Sequence, residues 1–520
     1  MESTSGCPRR VAGNGGRSLT WRQWHRTGLD TPPPPGRSLD RSAGRLAAPS
    51  PGIPGTGVAV CTGDGTGRRA RGGVAGRWPG AGIERRVAVV LAAAVGLSGA
   101  DLAAMAAVTD NVERAYGVDN AQIGLLVSVV TLVGAAGTVP VGVLTDRTRR
   151  TRLLGASVAV WAVATAVSAA APSYWWLLAG RALLGLAAAT TGPTVASLTG
   201  DFFPAAQRSR VYGIVLSGEL VGSGVGYVGA GEISAVASWR FAFWWLVPVA
   251  VAVAWLVWRL PEPARGRQPA LRADPAVAPL TGAAGGTAPP PHPERLSPWA
   301  ALRYVLSVRT NVVIIVGSAL GYFFFAAVRS FAILFAGQHY GVPKSVASLL
   351  VVAIGVGALV GVVVGGRLSD RLLHHGRVRA ARVAVPAVCL LALAPVFAPA
   401  VVTSTAVVAV PLLMAGAALL GAANPPLDAA RLDIIHPALW GRAEAVRTVL
   451  RSLAEAVAPV AFGVTSVWLA RRGADSLELT MLLFLVPLPL AGLLALTALR
   501  TYPRDVAAVA AAAHHSRTRG

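Results

Sequence analysis

Twelve apolar runs of roughly twenty residues each constrain this chain more than any other feature, because an α-helix of that length crosses a ~30 Å hydrocarbon layer. They lie at about 87–109, 120–143, 153–171, 174–200, 210–231 and 241–260, then at about 310–337, 345–368, 381–401, 404–431, 445–469 and 477–499. A polar segment from Pro261 to Arg309 divides them six and six, and Gly282, Gly285, Gly286 and Pro289-Pro290-Pro291 mark it as linker. Only 14% of the 520 residues are charged and 54% are hydrophobic. A soluble chain carries nearer a quarter charged residues. The reading is an all-α polytopic membrane protein.

The expected organisation is a tail over 1–85, a six-helix bundle over 86–260, a linker over 261–308, a second six-helix bundle over 309–500 and a C-terminal tail over 501–520. The N-terminal segment is rich in Gly, Pro, Arg and Ser, with Pro32 to Pro35 in a row. Such a composition buries too little surface to offset ordering entropy, so disorder is expected there. A mis-assigned translation start is the alternative for this segment. It lacks the short apolar core of a secretory signal.

Loop charge predicts orientation. The even-numbered loops and linker carry Arg147, Arg149, Arg150, Arg152, Arg208, Arg210, Arg265, Arg267, Arg371, Arg377, Arg379 and Arg442. The odd-numbered loops hold little beyond Arg114, Arg240, Lys344, Arg471 and Arg472. Even loops, linker and both termini are expected on the cytoplasmic side of a cell membrane, the bacterial cytoplasmic membrane. The formal net charge of +23 is almost all arginine, Lys344 being the only lysine. Topology accounts for it, and no nucleic-acid partner is expected.

A motif recurs between the halves. Gly142, Asp146, Arg147 and Arg150 follow run two, and Gly366, Asp370 and Arg371 follow run eight. Run four ends with Pro193 eight residues before Asp201, and run ten with Pro425 eight before Asp433. Runs five and eleven each carry a glutamate before small residues, Glu219-Leu220-Val221-Gly222 and Glu455-Ala456-Val457-Ala458. Two parallel six-helix repeats are one transporter architecture's trace.

On these residues the chain resembles the major facilitator superfamily over roughly 87–500. Gly142, Asp146, Arg147 and Arg150 match its Gly-x-x-x-Asp-Arg-x-Gly-Arg signature, with Arg149 in place of the second glycine. Arg181-Ala182-Leu183-Leu184-Gly185 and Trp239-Arg240-Phe241-Ala242-Phe243 are similar to its helix-four and helix-six motifs. The resemblance implies two pseudo-symmetric bundles, a midplane site lined by helices one, four, seven and ten, and alternating access. It implies that Asp146 faces the N-terminal end of helix eleven, where a carboxylate is favoured, and that Arg147 locks it. A small-molecule substrate, a monomer and proton coupling are expected. Within the superfamily, Asp101 and Gly124-Leu125-Leu126 are loosely similar to spinster-type lipid transporters. A non-transporting sensor on the same fold is the competing class.

Ionisable groups inside a span are costly and therefore candidate functional groups. Counting residues from the outer run ends puts Asp101, Arg181 and Arg329 in one layer, about 12–13 Å deep. Asp101 either titrates against Arg181 or forms a static brace with it. Arg329 either meets an anionic group of the substrate or snorkels. Glu219 and Glu455 are further proton-carrier candidates, unless Glu455 pairs with Arg451 four residues earlier.

The Gly-Pro core of the family's antiporter motif is absent from helix five, where Gly226-Tyr227 stands. Trp175, Trp176, Trp239, Trp244 and Trp468 read as interfacial anchors. Cys7, Cys61 and Cys389 have no disulfide or metal-ligand spacing. No phosphate cradle or nucleophile constellation appears, so neither enzyme nor cofactor is expected.

Overall fold

The computed structural model describes residues 82–268, 289–290, 293–376, 380–471 and 476–518. The expected disordered tail up to residue 81, Arg377, Arg379, Arg472 and the linker glycines lie outside the described residues. Among the described residues twelve helices are long and apolar enough to cross a membrane. Spans 1 to 6 are Ile83–Ala107, Gln122–Arg147, Arg150–Ala169, Tyr174–Phe202, Ala205–Val236 and Phe241–Trp258. Spans 7 to 12 are Arg309–His339, Leu350–His374, Ala381–Val402, Ala406–Ile434, Pro437–Ala470 and Leu477–Ala512.

Polar caps start several helices. The Asp119 carboxylate accepts the Gln122 N–H at 2.8 Å while the Gln122 side chain accepts the Asp119 N–H at 3.1 Å, a capping box that opens span 2. Ser173 caps span 4 in the same sense. That span is broken at Ala189-Thr190 into Tyr174–Ala188 and Thr191–Phe202. Pro193 lacks the N–H that would bond back to Ala189, which weakens the ladder at this break.

Small residues set the packing. Span 1 lies against span 5 so closely that a Cβ on Gly222 would fall 2.1 Å from the Gly96 carbonyl oxygen. Between lipid-facing helices, where water no longer drives association, such close backbone approach supplies the contact.

Three features differ from the sequence reading. The last helix, Pro487–Thr518, runs on where a tail was expected, and it buries Tyr502, Val506 and Val509. The linker contains a helix, Pro298–Ser307, capped by Ser297. Trp239 is buried, edge-on to Tyr116 and Phe243, whereas Trp175, Trp176, Trp244 and Trp468 are exposed as membrane anchors would be.

Candidate functional site: two gate contacts and an ionic interior

The two six-helix halves meet at the arginine-rich end. Gly142 of span 2 sits against span 11, where an added Cβ would lie 2.9 Å from the Gly441 carbonyl oxygen. Four residues on, the Asp146 carboxylate accepts the N–H groups of Gly441 (2.9 Å) and Arg442 (3.2 Å), at the start of the helix Trp440–Ala470. Those N–H groups have no partner within their own helix, and the positive end of the helix dipole favours a carboxylate. The spacing of the motif thus has a cause: glycine permits the approach, and aspartate one turn later reaches the helix end.

The second half repeats the contact. A Cβ on Gly366 would fall 2.4 Å from the Ser209 carbonyl oxygen, and Asp370 accepts the Arg210 N–H at 2.7 Å, at the start of the helix Arg208–Val236 in span 5. Each half places its aspartate on a helix N-terminus of the other.

Each half also holds a buried arginine paired with an aspartate at a helix end. Arg150 pairs with Asp201 at the end of span 4, and Arg382 pairs with Asp433 at the end of span 10. Arg382 also reaches Asp370 at 3.3 Å. Asp433 crosses the interface to Arg208 at 3.1 Å and accepts the Tyr502 hydroxyl at 2.7 Å. On the first half, the chain following span 6 supplies the equivalent closure. Glu262 accepts Arg150 Nε (2.9 Å) and both the N–H (2.8 Å) and hydroxyl (2.7 Å) of Thr151. The Gly266 N–H donates to Asp201 at 2.8 Å, and Arg265 donates to the carbonyls of Thr145 and Thr148. Partial burial pushes the Glu262 carboxyl up, but the bonds from Thr151 and Arg150 outweigh it and hold the pKa below the usual glutamate value.

The expectation that Arg147 locks Asp146 is corrected. Arg147 is exposed, and the guanidinium on Asp146 belongs to Arg442, 3.4 Å away. Arg371 is exposed in the same way. In both copies the arginine adjoining the aspartate is the wrong one, because side chains one residue apart on a helix do not face each other.

Deeper in, Asp101 of span 1 and Arg181 of span 4 form an ion pair with side chains 3% and 2% exposed. The Arg181 guanidinium also lies over the Phe243 ring of span 6, 4.8 Å from its centroid. Among the described residues, Asp101 Oδ1 and Arg181 Nε and Nη2 have no hydrogen-bond partner. Arg329 is separated from this pair: it is exposed and stacks over Phe325 of its own helix at 5.7 Å. Glu219 is half-buried in span 5, where its backbone carbonyl accepts the Ser223 hydroxyl at 2.9 Å.

The second half holds a larger network, of which the sequence reading contains only the Arg451–Glu455 pair. Arg447 of span 11 reaches Asp428 of span 10 (2.9 Å), Glu444 (3.1 Å) and the Ser318 hydroxyl of span 7 (3.2 Å). Arg431 pairs with Glu444. One helical stretch further, Arg451 pairs with Glu455 at 3.5 Å and stacks over Tyr322 of span 7 at 4.3 Å. The signal was the spacing 444, 447, 451, 455, one stripe of a helix. Its first member lay just ahead of the expected apolar run, among residues that read as loop charge.

Among the described residues no group of His, Cys, Asp and Glu has metal-holding geometry.

The model of the Major Facilitator Superfamily matches residues 89–459. Human "Protein spinster homolog 1" is 32% identical over 168 residues, which is 31% of this chain and 31% of that protein. The matched stretch spans less than a third of the curated relatives' own length. Among solved structures, a bacterial homolog of the human lysosomal transporter Spinster, inward-facing and unoccupied, aligns with a TM-score of 0.52 at 20% identity, covering 82% of this chain and 98% of that one. The human organic anion transporter MFSD10 aligns at 0.62 and 17% identity, covering 79% and 99%. At these identities the structures speak for the fold. With a family match over most of its length and twelve spans in two halves, this chain belongs to the major facilitator superfamily of membrane transporters.

Proposed function

We propose that the protein is a secondary active transporter that carries a small solute across the cytoplasmic membrane by alternating access, coupled to protons at Asp101. The arginine-rich end is the cytoplasmic face, the protein works as a monomer, and the Asp146 and Asp370 contacts are latches that keep that face shut. The observation that carries the reading is the sealed Asp101–Arg181 pair. A carboxylate held in a nearly dry interior stays charged only because a guanidinium lies beside it. Protonation removes that attraction and frees Arg181. Arg181 sits on the upper piece of span 4 and Asp201 on the lower piece, with the break at Ala189-Thr190 between them; Asp201 accepts the Gly266 N–H, next to the Arg265 that donates to the Thr145 and Thr148 carbonyls flanking Asp146. One hinged helix therefore links the proton site to the gate.

Metabolite and drug-susceptibility profiles of a deletion strain identify the solute, and proteoliposome uptake then tests the coupling. Wild-type uptake is expected to follow an imposed pH gradient, and Asp101→Asn to lose that dependence while keeping downhill exchange. Gradient-driven uptake that is unchanged in Asp101→Asn overturns the proton role. The resemblance of Asp101 and Gly124-Leu125-Leu126 to spinster-type lipid transporters gives a lipid cargo as the second reading, decided by whether a fluorescent lysolipid is moved by the same proteoliposomes.

A further inference from the structure

The linker helix Pro298–Ser307 has two unlike faces. Ala301, Tyr304 and Val305 are buried in a core shared with Ile314 of span 7 and Leu439 at the start of span 11. Trp299, Arg303 and Leu306 are exposed, with Leu302 half-buried among them. The spacing 299, 302, 303 and 306 is one stripe of a helix. Trp299 is 77% exposed and Leu306 42%.

The orientation of this stripe is pinned at both ends of the helix. The Leu296 carbonyl accepts Arg442 Nη1 at 3.2 Å, and Ser297 accepts the Ala300 N–H at 3.2 Å. The Val305 carbonyl accepts the side-chain amide of Asn311 at 2.9 Å, and Asn311 is fully buried in span 7. Rolling the helix to cover Trp299 would break these bonds and expose Tyr304 and Val305. Its level is pinned too. Only Val308 separates the helix from Arg309, the first residue of span 7, and one residue reaches no further than about 3.6 Å. The helix therefore lies at the membrane boundary, where a tryptophan is favoured among the headgroups.

The surroundings of the stripe are basic. Arg295, Arg303 and Arg309 are exposed, and residues 298–310 include no Asp or Glu. Apolar burial and attraction to lipid phosphate are the two contributions that hold a helix in the interface. A second copy docked two-fold on this face would set the same arginines against each other. We infer that the linker helix is a lipid-docking element, with Trp299 and Leu306 among the headgroups and Arg295, Arg303 and Arg309 against an anionic phospholipid surface. The inference goes beyond transport and needs no knowledge of the cargo.

A nitroxide on the full chain tests it. Cys7→Ser, Cys61→Ser and Cys389→Ala remove the native thiols, and Leu306→Cys carries the label with Trp299 left in place. The protein is reconstituted at low density in vesicles of phosphatidylcholine alone or of equal parts phosphatidylcholine and phosphatidylglycerol. In the anionic vesicles oxygen is expected to relax the label more than a water-soluble nickel chelate does. That ratio is expected to fall in phosphatidylcholine alone, in Trp299→Ala, and in the triple variant Arg295→Gln/Arg303→Gln/Arg309→Gln. If the triple variant does not fold, the comparison of the two lipids with all three arginines in place still decides. Relaxation dominated by nickel in the anionic vesicles overturns the proposal. So does an oxygen preference of equal size in phosphatidylcholine alone, or dipolar broadening between labels on two copies.

Discussion

The two halves agree at their arginine-rich end and differ in their interiors. At the gate, Gly142 with Asp146 and Gly366 with Asp370 make the same contact with a helix start of the other half. Arg150–Asp201 and Arg382–Asp433 even keep the same separation of 51 residues. Inside, the first half has one sealed pair, with side chains 3% and 2% exposed, whereas the second has a six-member network whose upper pair, Arg451 and Glu455, is 27% and 26% exposed. The repeat has preserved the contacts that join the two halves. The interior charges, which on the proposed reading meet proton and cargo, have diverged.

The largest test of this contrast compares the two interior pairs. Asp101→Asn strands the Arg181 charge in a dry site and is expected to destabilise the protein by about 3–5 kcal/mol. Glu455→Gln, at a partly solvated pair, is expected to cost less than about 1 kcal/mol. Reversible unfolding in detergent measures both, and equal losses would erase the difference. The double variant Asp101→Leu/Arg181→Met is expected to recover stability while staying uncoupled from the pH gradient.

The gate comes next. Asp146→Asn and Asp370→Asn each weaken a charge-assisted contact to a helix terminus worth about 2 kcal/mol. That corresponds to roughly a thirtyfold shift toward the state in which the two halves are parted at this end. Spin-label distances between the arginine-rich ends of spans 2 and 11, and of spans 5 and 8, report the populations. Similar shifts are expected from both variants, and a response from one alone would break the symmetry. Arg442→Gln is expected to act in the same direction, and Arg147→Gln to fall within about 0.5 kcal/mol of wild type.

The smallest effect is at Glu262. Its folded pKa lies below its unfolded value, so its contribution to stability is present above the ordinary glutamate range and is lost as pH falls through the folded pKa. Wild type is expected to unfold at higher temperature than Glu262→Gln at neutral pH, and the gap to close below about pH 4. A gap that persists in acid removes the carboxylate from the account.

Much of this was legible in the chain because membrane length and duplication are local or periodic signals. Hydropathy alone marked the twelve spans, the repeated Gly-x-x-x-Asp-Arg drew attention to Asp146 and Asp370, and residue counts brought Asp101 and Arg181 to one depth. Partner choice was not legible. Arg208 meets Asp433 across 225 residues, a relation no window along the chain contains. Arg382 follows Asp370 by twelve residues where Arg150 follows Asp146 by four, so the longer loop hid its equivalence. Glu262 stands between two prolines at the head of a linker and read as loop. Arg329 matched Asp101 in depth but not in direction, because depth counting carries no information about which way a helix face turns.

The central claim is that the proton resides on Asp101. Infrared difference spectra of the protein in liposomes, taken across an acid jump at a temperature where every variant stays folded, test it without knowledge of the cargo. A protonated-carboxyl band is expected in wild type, to be retained in Glu455→Gln and to lose its main component in Asp101→Asn. An Asp101→Asn spectrum identical to wild type would contradict the account.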